Sequence, residues 1–465
     1  MKKFFTENQD FFGPLLTMAL PLAFQNLIAA SLNMIDTVMI GQLGQTEIAA
    51  VGLANQYYFV IHLFLFGINS GAAIFVAQFW GQKDTVNIRR ILGVSLIAGI
   101  LVSMIFTLVA FFKPEMVLGV FSKDPAVIIR GSEYLPVVAV SYLVTAVSFS
   151  YSSVLRSTGE VMLPVKVSIL ALITNTILNY LLIYGKFGFP RMEVAGAALA
   201  TTIARALETF LLLAVVYGRK MIPAAKIKEL IDLTIAFVGR FLKTTVPVVL
   251  NESLWAVGVT MFSIVYARMG TAVIAGVNIF SMIERFAFVL FFGLAQACAV
   301  TVGNDIGAGE EAKALTRAKQ YSLFGPVFSL LIAVGLLFTT DPILSLFRVS
   351  QDTIEVTRRI IFIFIFFLPV KVFNLINVVG ILRGGGDTRF SLFLDIGALW
   401  LIAVPVSFLA GLVWRLPPAM VYLLAGLEEV FKLGIGINRV YSGKWINNLT
   451  HSMRETVEKD LIVES

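Results

Sequence analysis

A single cysteine, Cys298, rules out a disulfide within the chain and any thiolate metal cluster, and two histidines leave too little for a zinc centre. No Gly-x-x-x-x-Gly-Lys-Ser/Thr run occurs, so a loop that cradles nucleotide phosphates is missing as well. No nucleophile and base gather near one face, which leaves an enzyme reading without support. Charge is sparse: Asp, Glu, Lys and Arg make up 14% of the residues. The net charge of +7 would suggest a nucleic-acid partner in a soluble protein. Here most Lys and Arg fall in short connections between apolar runs, where membrane topology calls for them, so no nucleic-acid partner is expected.

What the chain has in abundance is apolar surface. Hydrophobic residues make up 58% of it, and the mean hydropathy is +0.87. Apolar runs of spanning length recur from near position 14 to 441, which predicts an all-α integral membrane protein with twelve transmembrane helices. The first run is too long for a signal peptide and lacks a small-residue cleavage site, so it reads as the first span. The sequence also echoes itself. An offset of 226 residues lays Pro21 on Pro247, Gly44 on Gly270, Gly67 on Gly293 and Gly81 on Gly307. With one residue more, Leu155-Arg156-Ser157-Thr158-Gly159-Glu160 falls on Leu382-Arg383-Gly384-Gly385-Gly386-Asp387. The expected organisation is therefore an N-terminal lobe over 1–217, an amphipathic cytoplasmic connector over 218–240, a C-terminal lobe over 241–441, and a polar tail over 442–465 that is surface-bound or mobile. An even number of spans per lobe puts the pseudo-two-fold axis along the membrane normal. Basic residues number 22 on the side of the N-terminus and 10 on the other, which predicts cytoplasmic termini.

The informative residues are polar ones within apolar runs. Asp36 has no basic residue within a turn of it, and an unpaired carboxylate in hydrocarbon costs several kcal/mol. It must face a wet cavity, bind a cation or take a proton. At 1.5 Å rise per residue, Asp36 and Asn179 lie about 9 Å below the outer surface, Thr201 about 12 Å and Asn175 about 15 Å. Asn175 and Asn179 are four apart and share a helix face. A carboxylate, two carboxamides and a hydroxyl suit Na⁺, while a proton needs the carboxylate alone. In the second half Glu252 lies about 18 Å into its span, near the midplane, where the first half has Asn26. Glu284, Arg285, Lys371 and Asp395 read as intramembrane ion pairs, with Asp395 and Lys371 as partners, and Arg205 and Glu208 pair three apart on one face. Pro21 and Pro247 break helix hydrogen bonding at matched positions, a pointer to a transport cavity. The two Leu-Arg-x-x-Gly-acid runs read as tight cytoplasmic turns.

The Met34-Ile35-Asp36-Thr37-Val38-Met39-Ile40-Gly41-Gln42-Leu43-Gly44 run, the Gly196-Ala197-Ala198-Leu199-Ala200-Thr201 run and the paired turns resemble the multidrug and toxic compound extrusion (MATE) family over roughly residues 10 to 440. The resemblance implies a two-lobed exporter of organic cations working by alternating access against inward Na⁺ or H⁺, in a cell membrane. No cofactor beyond that ion and no partner beyond small molecules and the bilayer is implied, and a monomer is expected. It further implies a cation site of Asp36, Asn175, Asn179, Thr201 and the backbone carbonyl of Ala197. Glu252, with Glu284, would contact a cation or substrate in the second lobe. Asn374 and Asn377 stand where some members carry an aspartate. The alternative within transport is a flippase for lipid-linked precursors, which would need a cavity rich in Arg or Lys.

Overall fold

The structure is a computed structural model that describes Gly13 and residues 15–450. Among these residues every regular element is helical. Eleven helices are long and apolar enough to cross a bilayer: α1 Leu15–Gly41, α2 Gln45–Gly81, α3 Thr85–Phe112, α4 Pro125–Ser157, α5 Met162–Tyr184, α6 Glu193–Gly218, α7 Ile235–Met269, α8 Thr271–Gly307, α9 Glu311–Leu344, α10 Gln351–Leu382 and α11 Thr388–Val413. The twelfth, α12, consists of Pro418–Ala425 and Leu427–Ser442, meeting at Gly426. From 418 to 442 it is about 37 Å long, enough to span, but Glu428, Glu429 and Lys432 interrupt its apolar surface. With the short helices Pro114–Gly119 and Ile227–Leu230 between them, the described residues form an all-α membrane protein with twelve helices of spanning length.

The two compact units divide inside helices rather than at the connector. Among the described residues, one comprises those up to Ala23 and from Leu250 onward, the other Phe24–Val249. Each division falls two residues after a matched proline, Pro21 or Pro247. Proline has no N–H to donate, so the helix is weakest where the chain passes from one unit to the next.

The repeated glycines mark how each unit receives its borrowed helix end. A Cβ on Gly293 of α8 would sit 2.7 Å from the Ala19 carbonyl oxygen of α1. A Cβ on its counterpart Gly67 of α2 would sit 2.7 Å from Val249 Cα of α7. Only glycine lets two backbones approach that closely. Gly44 and Gly270 open α2 and α8 at φ 155° and 137°. The Leu-Arg-x-x-Gly-acid runs are turns of one construction. Glu160 donates its N–H to Leu155 O at 2.9 Å, Asp387 does the same to Leu382 O at 2.8 Å, and Gly159 and Gly386 sit at φ 93° and 79°.

The connector is docked onto α3: Arg89 pairs with Glu229 at 2.6 Å, Arg90 with Asp232, and Gly93 leaves room for the Leu230 carbonyl. The tail begins as packed structure. Trp445 is fully buried against Gly385, and Asn447 donates its N–H to Gly385 O at 2.8 Å. The Gly384-Gly385-Gly386 run therefore provides space for an indole as well as a turn. Residues 451–465 lie outside the described residues, as do the basic residues at the extreme N-terminus.

Candidate cation site

Asp36 sits five residues from the end of α1 at Gly41, and α5 brings Asn175 and Asn179 to it on one face. α6 comes close enough to α5 to complete the group because Gly196 has no Cβ. One placed there would meet the Leu182 backbone at 2.8 Å. Met192 N–H donates to Leu182 O at 2.8 Å and ties the start of α6 to the end of α5. With Ala197 and Ala198 beside it, this small-residue face lets Thr201 reach Asn175.

The carboxylate of Asp36 receives two carboxamides. Asn179 Nδ2 donates to Oδ1 at 2.9 Å. With the Asn175 carboxamide turned as its neighbours require, its nitrogen donates to Oδ2 at 2.8 Å. Its oxygen then accepts from the Thr201 N–H at 3.2 Å and lies 3.3 Å from Thr201 Oγ1. Thr201 Oγ1 donates to Ala197 O at 3.0 Å. Asn179 is 2% exposed, and its Oδ1 has no donor among the described residues. The structure thus brings Asp36, Asn175, Asn179, Ala197 and Thr201 together around one carboxylate. No basic residue is paired with Asp36 among the described ion pairs. Tyr134 of α4 lies against Thr201 and Asp36, a neighbour that nothing in the linear pattern singles out.

In the other unit the acids are paired. Glu252 Oε1 of α7 lies 2.7 Å from Arg383 Nη2, and Arg383 is 2% exposed. Arg383, in the second Leu-Arg-x-x-Gly-acid turn, is also the buried counter-ion of Glu252. Glu284 of α8 pairs with Lys371 at 2.6 Å. The expected Asp395–Lys371 pair is therefore wrong. Asp395 takes Lys432 of α12 at 3.3 Å and accepts from Asn251 Nδ2 at 2.9 Å. The error is physical: depth along a helix is legible from sequence, whereas the direction a side chain faces around the bundle is not. The Arg205–Glu208 pair forms as expected, at 2.9 Å.

The MatE family model matches residues 21–181 and 247–409, one stretch in each half of the repeat. The chain belongs to the MatE family. It is 25% identical over 435 residues to the "Probable multidrug resistance protein NorM" of Thermotoga maritima, covering 93% of this chain and 92% of that protein. It is 26% identical over 475 residues to the protein of the same name from Agrobacterium fabrum, covering 97% and 94%. Among solved structures it superposes on the Vibrio cholerae MATE transporter VcmN in its bent form with a TM-score of 0.85. The identity there is 20%, over 95% of this chain and all of that one. MatE membership makes the chain a multi-pass membrane transporter, not an enzyme. It also gives the twelfth helix its place, since MATE structures have twelve helices in two lobes.

Proposed function

We propose that this MatE protein exports organic cations and drugs in exchange for inward Na⁺ or H⁺, with Asp36 as the site that small and large cations occupy in turn. The names of its relatives support the multidrug substrate class. The observation that carries the exchange reading is the environment of Asp36: a carboxylate with no cation partner, held by two carboxamide nitrogens, beside the donor-less Oδ1 of Asn179. A carboxamide has two faces. With no cation bound, the nitrogens of Asn175 and Asn179 satisfy the carboxylate. When Na⁺ enters, the same groups turn their oxygens inward, joining Thr201 Oγ1 and the Ala197 carbonyl as hard ligands. A proton on Asp36 removes the charge outright. Either event discharges the site toward a cationic drug.

In the cycle, external Na⁺ or H⁺ reaches Asp36 in the outward-open state and displaces the drug. The cation is released inward, and the site, negative again, attracts the next organic cation from the cytoplasm or inner leaflet. A one-for-one exchange with a monovalent organic cation is electroneutral and is driven by the concentration gradient of Na⁺ or H⁺, while each further charge carried inward down 100 mV adds about 2.3 kcal/mol, roughly fifty-fold in substrate gradient. Cytoplasmic termini and action as a monomer in the cell membrane complete the proposal. Against the flippase alternative, Arg383, Lys371 and Lys432 are each engaged by carboxylates. The test is efflux of a fluorescent organic cation from vesicles under an imposed Na⁺ or H⁺ gradient. Gradient-driven efflux by the wild type that is lost in Asp36→Asn supports the proposal, and equal efflux by both proteins rejects it.

A further inference from the structure

The unit containing α12 holds a second polar cluster, built on residues that the Asp36 mechanism does not use. Lys432 Nζ lies 3.3 Å from Asp395 Oδ1, 3.3 Å from Glu429 Oε2 and 3.7 Å from Glu428 Oε1. One ammonium faces three carboxylates. The nearby base, Lys371, is matched by Glu284 at 2.6 Å. Four carboxylates therefore stand against two ammonium groups, an excess of two formal negative charges in a region where Lys432 is 6% and Glu428 8% exposed. Tyr266 and Tyr422, beside Lys371 and Glu284, complete the titratable surroundings.

A second observation points the same way. Three buried oxygens in this cluster, Glu428 Oε2, Asn251 Oδ1 and Asn374 Oδ1, have no donor among the described residues. The nitrogens of both carboxamides are already committed, Asn251 to Asp395 Oδ2 at 2.9 Å and Asn374 to Glu429 Oε2 at 2.7 Å. Excess negative charge and excess acceptors call for the same supplement, which is positive charge carrying a donor. A metal ion does not fit, because an ammonium occupies the centre and no group of three or more acids suited to a metal occurs among the described residues. A proton needs no cavity of its own. Carried on a carboxyl oxygen, it removes one charge and creates one donor.

We propose that this α12 cluster is a proton-binding site, with Glu428 holding the exchangeable proton and Lys432 positioning the three acids. Glu428 lies two residues after the break in α12 at Gly426, so its protonation acts on the helical segment that follows the break. The assignment rests on the proposed exchange cycle only for its role in transport. Proton occupancy is measured without transport, so the two can fail separately.

The experiment is pH-difference infrared spectroscopy of the full-length protein in detergent, following the carbonyl stretch of protonated carboxylic acids. The wild type is expected to keep a protonated-acid band at neutral pH. That band should survive in Asp36→Asn and, in that background, vanish on adding Glu428→Gln and stay unchanged when Na⁺ is added at fixed pH. Lys432→Met, which removes the central ammonium, should gain a further protonated acid. A band that persists when folded Glu428→Gln is combined with Asp36→Asn overturns the proposal. Should that variant not fold, Lys432→Met decides, and an unchanged band there overturns it equally. Loss of the band on adding Na⁺ would mean the site takes a metal cation, and would also overturn it.

Discussion

Asn179 donates one hydrogen bond to Asp36 at 2.9 Å while its own carbonyl oxygen stays without a donor. The carboxamide is therefore half used, and the unused half is an oxygen beside a carboxylate. Asn179→Leu keeps the volume but removes both functions. A hydrogen bond to a charged group contributes about 1.5–3 kcal/mol, so cation affinity should fall by roughly ten-fold to a hundred-fold. Asn179→Asp should act differently, since two adjacent carboxylates favour taking up a proton. Its Na⁺ response should weaken as pH falls. Titrations of cation binding in detergent at several pH values check both variants.

The close backbone approaches at the repeated glycines give a stability test with an internal control. Gly293→Ala places a methyl against the Ala19 carbonyl oxygen, which cannot move like a side chain, and should cost about 1–3 kcal/mol. Gly52→Ala, also within a long helix but with nothing within 4 Å, should be neutral or stabilise by up to about 1 kcal/mol. Thermal unfolding in detergent should lower the transition for Gly293→Ala and preserve it for Gly52→Ala.

Arg383 and Glu252 form a buried pair, and breaking one half is expected to hurt more than removing both. Arg383→Met strands a carboxylate and should cost about 3–5 kcal/mol. The double variant Arg383→Met with Glu252→Gln should recover most of that loss. A double-mutant cycle on unfolding reads the coupling directly. If the double variant is as unstable as the single, the pair is not the reason Arg383 is buried.

Trp445 lies beyond the last span yet is fully buried, with Nε1 donating to Val440 O at 3.0 Å. Trp445→Ala should cost about 3–5 kcal/mol, the usual size for removing a packed aromatic side chain. Gly385→Ala should be damaging too, because a Cβ there would lie 2.3 Å from the indole ring. Stability similar to wild type in both variants would show that the start of the tail does not matter to the unit.

How much of this was legible in the sequence follows from what a linear code contains. Span positions, the repeat, and the common depth of Asp36, Asn175, Asn179 and Thr201 all come from distance along helices, which sequence gives directly. Partner choice does not. Neighbouring spans make Lys371 the natural partner of Asp395 on a linear reading, whereas α12 brings Lys432 to Asp395 instead. The signal was present in Glu428-Glu429-x-x-Lys432, with i, i+3 and i+4 spacing inside an otherwise apolar helix. The docking of Trp445 left only the three successive glycines at 384–386 as a trace. The division of α1 and α7 between units was foreshadowed by Pro21 and Pro247, although sequence alone could not say that Gly67 and Gly293 receive the exchanged ends.

The central claim is that small and large cations compete for one carboxylate. Equilibrium binding of a fluorescent organic cation to purified protein, titrated with Na⁺ at fixed pH and with H⁺ at fixed Na⁺, tests it most directly. The expected result is that Na⁺ or H⁺ raises the apparent dissociation constant in proportion to its concentration in the wild type and has no effect in folded Asp36→Asn. Displacement of equal size in both proteins, or no displacement from the wild type, would contradict it.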